Sequence, residues 1–561
     1  MGRYLNSSTS YVLYKNETMK PYFVDKTKLL SELFPFLEVG NTHICITRPR
    51  RFGKTMIANM IASFLGKRKS ENGLFESLNI SQNKEYIKYK NQYDVIFIDF
   101  SKMPRECHSY REYIDRIEEN LIRDLKKAYP DIEIYEGDSA ADVLETIFEE
   151  YDEQRFIFVF DEWDFIFHKD FIKEEDKKQY ILFLSNLLKD RPYVIMTYMT
   201  GILPIAKYSS GSELNMFWEY NMASETKYSE YFGFTDEEVD ELFERYEHNN
   251  ENAQISRQDL RIWYDGYTTK SGERIYNPRS VVLALTNNNI GNYWTSSGPY
   301  DEIFYYIRKN IDDVQNDLAL MISGESVQVK IQEYAAAAMR LETKSEIFSA
   351  MVVYGFLSYE DGKVRIPNKE LMNKFDDMIQ KEESLGYVYR LAKESERMLQ
   401  ATLAEDTQVM EEILEYAHNT ETPILSYNNE TELSAIINLV YLSARDKYRV
   451  EREDKAGKGF VDYIFYPENK KDPGIILELK VDHSPREALK QIVDKDYKLK
   501  FQGKIGEIKT DHKILGVGIS YDKKTKHRQT GCGSVISAHH CRQQVGYRIN
   551  NQISPISAAW P

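Results

Sequence analysis

Two groups of residues in this 561-residue chain have types and spacings suited to phosphate chemistry. The first is Gly53-Lys54-Thr55, entered through the basic loop Arg48-Pro49-Arg50-Arg51-Phe52. A lysine and a hydroxyl directly after a glycine fit a polyphosphate such as that of ATP. Lys54 would reach the β- and γ-phosphates, and the Thr55 hydroxyl would hold Mg²⁺. Backbone N–H groups of Arg51, Phe52 and Gly53 would wrap the phosphates, and the following helix would add its dipole. Asp161-Glu162 is the acidic counterpart. Asp161 would enter the Mg²⁺ shell, and Glu162 would polarise an attacking water. The second group is Asp462, Glu478 and Lys480. Carboxylates from two strands can hold a divalent metal. Such a metal acidifies a bound water and stabilises a pentavalent phosphate. Lys480 would orient that water or neutralise developing charge, and Glu430 would complete the metal shell.

Each group has a plainer alternative. The phosphate-loop pattern asks for glycine at position 48, where this chain has Arg48. The loop could then be a basic turn that only caps a helix. Asp161-Glu162 could be a solvated loop after a core strand, and Glu478-x-Lys480 an exposed pair on an edge strand.

The elements that must position these residues decide between the readings. Ile44 to Thr47 is a β-type run, and Met56, Ile57, Met60, Ile61, Phe64 and Leu65 recur at helical spacing. Val95–Phe100 reads as a second strand and Phe156–Phe160 as a third, apolar enough to be buried on both faces. The acids then stand at a strand's carboxyl end, where open α/β sheets bind ligands. One strand between the Lys54 helix and the acidic strand is the order of additional-strand ATPases. A fourth strand, Tyr193–Thr197, runs on to Thr200, a candidate sensor of the γ-phosphate. Tyr22–Thr27 could face a nucleotide base, with packing the favoured reading.

Beyond about 225 the alternation of strand and helix fades. Thr235 with Glu238 reads as a capped helix start. A helix followed by a hairpin turning at Asp361-Gly362 has a winged-helix flavour. Residues 369–421 carry 13 Asp+Glu against 6 Lys+Arg and read as a helical connector. From Tyr427 an α-β-β-α order follows, with Asp462 and Glu478 on successive strands. Val481–Arg528 carries 12 Lys+Arg against 7 Asp+Glu, a local basic face for nucleic acid.

Composition narrows the classes. The net charge of −16 argues against a surface that coats nucleic acid as a whole. The 4 cysteines are scattered and fit no disulfide framework, so a reducing cytoplasm is expected. Met1–Ser10 is polar, unlike a secretory leader. No apolar run is long enough for a membrane span, so no membrane partner is expected.

Tyr22–Thr27, Thr47–Thr55, Phe156–Asp164, Tyr228–Val239, Trp263–Tyr267, Tyr276–Ser280, Gly362–Asn368 and Gly457–Val481 together carry a family resemblance. The chain resembles the bacterial AAA-ATPase-like proteins fused to a PD-(D/E)XK, restriction-endonuclease-like domain. Arg48 then is a family trait, within Arg48-Pro49-Arg50-Arg51-Phe52-Gly53-Lys54-Thr55. Arg279 stands where the family usually has tryptophan, which touches local packing. The resemblance implies a predicted ATPase and a predicted nuclease.

The fold expected is therefore α/β and multidomain. A P-loop NTPase parallel-sheet core spans 1–225, a helical, winged-helix-like lid 226–370 and an acidic helical connector 371–425. A PD-(D/E)XK nuclease-like α/β domain spans 426–528. Residues 523–561 contain no Asp or Glu, and 529–561 read as a disordered, frameshifted or read-through tail. A zinc site at Cys532, His539, His540 and Cys541 fits no ordinary finger spacing. The function expected is a cytoplasmic ATP- and Mg²⁺-dependent ATPase controlling a metal-dependent nuclease. Its partner would be nucleic acid, DNA favoured over RNA, and a homo-oligomer is compatible with this. The alternative is a nucleotide-gated binding switch whose nuclease fold does not cleave. No arginine finger is assignable, because Arg48, Arg50 and Arg51 all crowd the loop.

Overall fold

The computed structural model describes residues 2–68, 73–103, 106–205, 212–222, 227–295, 307, 311–331, 343–419, 430–456, 459–469, 471–495, 514–522 and 527–534. The chain divides into two compact units, Met1–Tyr306 with Gln328–Leu371, and Ile307–Val327 with Met372–Pro561. The region read as one lid over 226–370 is thus divided, because 307–327 groups with the second unit.

The first unit is organised on a parallel five-stranded sheet. Its strands are β1 (Thr42–Thr47), β2 (Asp94–Asp99), β3 (Phe156–Asp161), β4 (Val194–Gly201) and β5 (Phe217–Asn221), in the order β2-β3-β4-β1-β5. β4 lies between β1 and β3, the additional-strand arrangement expected from the sequence. The period-two alternation divides the strands' side chains between two cores. Ile96, Ile98, Phe158 and Phe160 pack against α4 (Tyr110–Ala128), α5 (Ala140–Glu150) and α6 (Glu174–Leu188). Ile44, Ile46, Val95, Phe97, Ile157 and Val159 pack on the other face in one core with residues of α1 (Ser8–Thr18), α2 (Lys28–Val39) and α3 (Lys54–Leu65). β5 is an element the sequence did not announce. Phe217-Trp218-Glu219-Tyr220-Asn221 is short and half polar, as an edge strand can be. The opposite edge is covered. Asn6 N–H donates to Val95 O at 2.8 Å, Phe97 N–H donates to Tyr4 O at 3.0 Å, and Leu5 bridges Ile96.

The rest of this unit is helical and turn-rich. α7 (Asp236–Asn249) opens with the capping box of Thr235 and Glu238. α8 (Arg257–Tyr264), α9 (Pro278–Asn287) and α10 (Lys344–Tyr354) follow, then a hairpin of β6 (Ser358–Glu360) and β7 (Lys363–Arg365). Its turn residues, Asp361 and Gly362, have φ 47° and 81°, the left-handed geometry such a tight turn requires.

The second unit holds a mixed five-stranded sheet. Its strands are β8 (Tyr448–Ala456), β9 (Gly459–Pro467), β10 (Gly474–Val481), β11 (Ile514–Asp522) and β12 (His527–Ser534), paired in chain order. Only β10 and β11 run parallel, and α13 (Pro485–Asp494) follows β10 and packs on both. α11 (Thr407–Asn419) and α12 (Glu430–Val440) precede the sheet. The boundary expected at 528 cuts through β12. Gln529–Ser534 pair with Leu515–Ser520, and Thr530 donates its N–H to Glu411 on α11 at 2.9 Å. An apolar Cys532 and small glycines let this segment pair and bury, which overrode its tail-like composition. The remaining 535–561, with His539, His540 and Cys541, lie outside the described residues.

Candidate functional site

β1 ends at Thr47, and the chain turns through residues 48–53 into α3. Two residues there have positive φ, Arg51 at 72° and Gly53 at 91°. The turn is made without a glycine at 48 because Arg48 points away into the protein, 1% exposed. Its Nη1 donates to Thr47 O and Tyr220 O, both at 2.8 Å, and its guanidinium lies 5.1 Å from the Phe232 ring centre. Burial pushes its pKa down to about 10. Arg48 is therefore internal scaffolding, separated by burial from half-buried Arg50 and exposed Arg51.

Lys54 is buried, and its Nζ donates to Arg48 O at 2.9 Å and Pro49 O at 3.1 Å. Burial holds its pKa below the ordinary lysine value, opposed by Glu162, Asp164 and Asp161. Asp161 ends β3 with its carboxyl buried. Thr200 donates to Asp161 Oδ1 at 2.6 Å, and the Thr55 hydroxyl lies beside the same carboxyl. Burial raises the Asp161 pKa against those hydroxyls and Lys54. Asp161 Oδ2 is buried without a hydrogen-bond partner. An anionic oxygen left so is costly unless a cation reaches it, which suits a Mg²⁺ ligand. Glu162 follows at φ 53°, its pKa raised by burial against Lys54.

A cavity of about 610 Å³ opens on this group. Arg50, Arg51, Phe52, Gly53, Lys54, Thr55 and Glu162 line one side. Tyr22, Phe23, Val24, Phe234, Val282 and Leu283 add apolar lining, with Arg279 and Lys20 among the other residues. The volume suits a nucleotide, and a lining with both cationic and apolar residues suits its two halves. Tyr22–Val24 are both packed and cavity-lining. Lys26, also on the cavity, is buried against Glu238, whose carboxylate it meets at 2.5 Å.

In the second unit Asp462 and Glu478 each stand one step beyond the pair Tyr463–Leu477 on β9 and β10. Asp462 Oδ2 accepts from Leu479 N–H at 2.6 Å, and Lys480 Nζ meets Glu478 Oε1 at 3.0 Å. Glu478 is 2% exposed, and its Oε2 is buried without a partner. Burial, then the Asp462 charge, pushes its pKa up to about 7, opposed by Lys480. Two facing carboxylates with an unsatisfied oxygen suit a divalent cation. Among the described residues no group of three or more His, Cys, Asp or Glu gathers as a closed metal cage. Glu430 opens α12, but its side chain lies outside the described residues. Gln491 on α13 was missed by the sequence reading. Its Nε2 donates to Glu478 Oε1. The available signal was an amide beside the buried face of an amphipathic helix directly after the Glu478 strand.

Comparison with known proteins bears on both units. Residues 14–210 match the family described as Predicted AAA-ATPase, and residues 429–530 match the PD-(D/E)XK nuclease superfamily. The chain joins an AAA-ATPase-like domain to a PD-(D/E)XK nuclease-superfamily domain. A relative described as an uncharacterized protein in vnfD 5'region, from Azotobacter chroococcum mcd 1, is 25% identical over 283 residues. That match covers 49% of this chain and 51% of the relative, so the chain spans about half of the relative's length. Among solved structures, the Walker-type ATPase PABY2304 of Pyrococcus abyssi is 13% identical, with a TM-score of 0.35. It covers 63% of this chain and 95% of its own. The ORC2 protein of Aeropyrum pernix is 10% identical, with a TM-score of 0.33, covering 64% of this chain and 94% of its own.

In the AAA-ATPase-like domain, Lys54, Thr55, Asp161, Glu162 and Thr200 converge, and Arg51, Phe52 and Gly53 shape the cavity mouth. Phe52 contributes backbone there, because its ring is buried 5.1 Å from that of Tyr267. In the nuclease-superfamily domain Asp462, Glu478 and Lys480 come together. Among the described residues of the chain no helix is long and apolar enough to cross a membrane.

Proposed function

We propose that the chain is an Mg²⁺-dependent ATPase whose nucleotide cycle controls a metal-dependent nuclease, acting on nucleic acid, DNA before RNA, in the cytoplasm. The observation that carries this reading is the meeting of Lys54, Thr55 and Glu162 on one nucleotide-sized cavity, with the unsatisfied Asp161 oxygen behind them. Lys54 exchanges its carbonyl partners for β- and γ-phosphate oxygens. Thr55 and Asp161 hold Mg²⁺, which neutralises charge on the phosphates when bound. Glu162 accepts a hydrogen bond from the attacking water, and Thr200 keeps Asp161 oriented. In the second domain Asp462 and Glu478 hold the metal, Lys480 faces the water, and Gln491 steadies the Glu478 carboxylate.

Side-by-side assays of two variants test the reading. Lys54→Ala should lower ATP turnover by about 100-fold or more and leave metal binding at Glu478 intact. Glu478→Ala should abolish cleavage of single- and double-stranded substrates with Mg²⁺ or Mn²⁺ and leave ATP turnover intact. Wild-type protein that cleaves none of them would remove the nuclease half of the proposal.

A further inference from the structure

The acidic stretch ends in Asp164, a residue the proposed reaction leaves without a role. It is 1% exposed. Its Oδ2 accepts from the backbone N–H groups of Ile202 at 2.9 Å and Leu203 at 2.7 Å. Its neighbour Trp163 donates its backbone N–H to Thr200 O at 3.0 Å. On the other side of the same strand end, Arg48 N–H donates to Gly201 O at 3.1 Å. The start of the phosphate loop, the acidic turn and the end of β4 therefore meet at Gly201. Position 201 admits no side chain. A Cβ there would stand 2.4 Å from Trp163 ring atoms and 2.8 Å from Asp164 Oδ1.

The geometry is selective. Thr200, one residue before this junction, carries the hydroxyl bonded to Asp161. Glu162, two residues before Asp164, has the left-handed backbone that only a well-held turn keeps. The Asp164 charge also acts on Lys54, raising its pKa against burial. A buried carboxylate gripping two backbone N–H groups fixes loop position more tightly than apolar packing, because both distance and direction are set.

We infer that Asp164 is a positioning residue of the ATPase centre. It locks the β4 end so that Thr200 stays on Asp161 and Glu162 stays on the cavity beside Lys54. The inference rests on the proposed ATP hydrolysis. A residue of merely structural importance would change the folded fraction and leave the turnover of folded molecules alone.

The test uses the full chain, measuring kcat and KM for ATP, binding of a fluorescent ATP analogue, and thermal melting. Asp164→Ala should lose about tenfold or more in kcat, with KM and analogue affinity within about threefold. Asp164→Asn, whose amide oxygen can still accept both N–H groups, should recover most of that loss. Gly201→Ala should repeat the kcat defect. If Asp164→Ala does not fold, Asp164→Glu decides, because it keeps the charge and moves the carboxylate by one methylene. Wild-type kcat in Asp164→Glu or Asp164→Ala overturns the inference. So does a loss of affinity as large as the loss of kcat, or a failure of Asp164→Asn to recover. Absent wild-type turnover would overturn the ATPase reading itself, a distinct outcome from wild-type turnover that the Asp164 variants share.

Discussion

Glu478 is a residue whose protonation bears on both stability and metal binding in the nuclease-superfamily domain. Its folded pKa of about 7 stands above its ordinary 4.5, so the folded state binds the proton more tightly than the unfolded chain. Metal-free stability should therefore fall as pH rises from about 4.5 to about 7, by about 3 kcal/mol in all. Glu478→Gln should remove that slope and make the metal-free protein more stable at pH 8, as measured by urea denaturation. The same proton competes with metal. Mn²⁺ affinity, measured by calorimetry, should weaken by up to about tenfold per pH unit below 7. Arg48 makes a second test at this scale. Arg48→Ala empties a buried site and breaks the Phe232 stack, at a cost of about 3 kcal/mol. Arg48→Gly, although it restores the common phosphate-loop pattern, should be no better. Residue types at the site were legible because lysine after glycine and paired acids have few other uses together. The burial of Arg48 was not, because a basic loop on paper gives no sign of which arginine faces inward.

At the scale of elements, the strands around the ATP cavity were readable from continuous apolar runs, since strands covered on both faces need no alternation. β5 was not, because an edge strand with one exposed side carries polar residues and reads as loop. Gln491 escaped for a related reason. Its role comes from the parallel crossover that lays α13 beside Glu478, and the amphipathic pattern of that helix marks its buried face without naming the carboxylate it meets. The Thr235–Glu238 box was legible, but only the fold shows that Glu238 also receives Lys26. Glu238→Ala should therefore cost more than a lost cap. It strands a buried lysine, and about 3–4 kcal/mol of destabilisation is expected in chemical denaturation. Glu238→Gln, which keeps the cap, should show the part due to the ion pair.

At the scale of the whole molecule, the sequence showed two chemistries in one chain and left the division between them to the fold. Contact between residues far apart in number carries 307–327 into the second unit, and composition has no access to that. If the two domains are coupled as proposed, ATP should change the cleavage rate of wild-type protein and not that of Lys54→Ala. The carboxyl-terminal boundary gives a separate prediction. A chain ending at Ser534 should melt like the full protein. One ending at Arg528 should lose several degrees, because it removes most of β12 and the buried Cys532.

The segment Tyr4–Asn6, laid along β2, has a consequence for solubility. With it removed, β2, apolar from Val95 to Ile98, would present open N–H and C=O groups to any extended chain nearby. Shortened versions lacking residues 2–6 should thus be prone to sheet-to-sheet growth and precipitation, even with the chemistry at Lys54 untouched. Those few residues satisfy backbone groups that β2 would otherwise leave open.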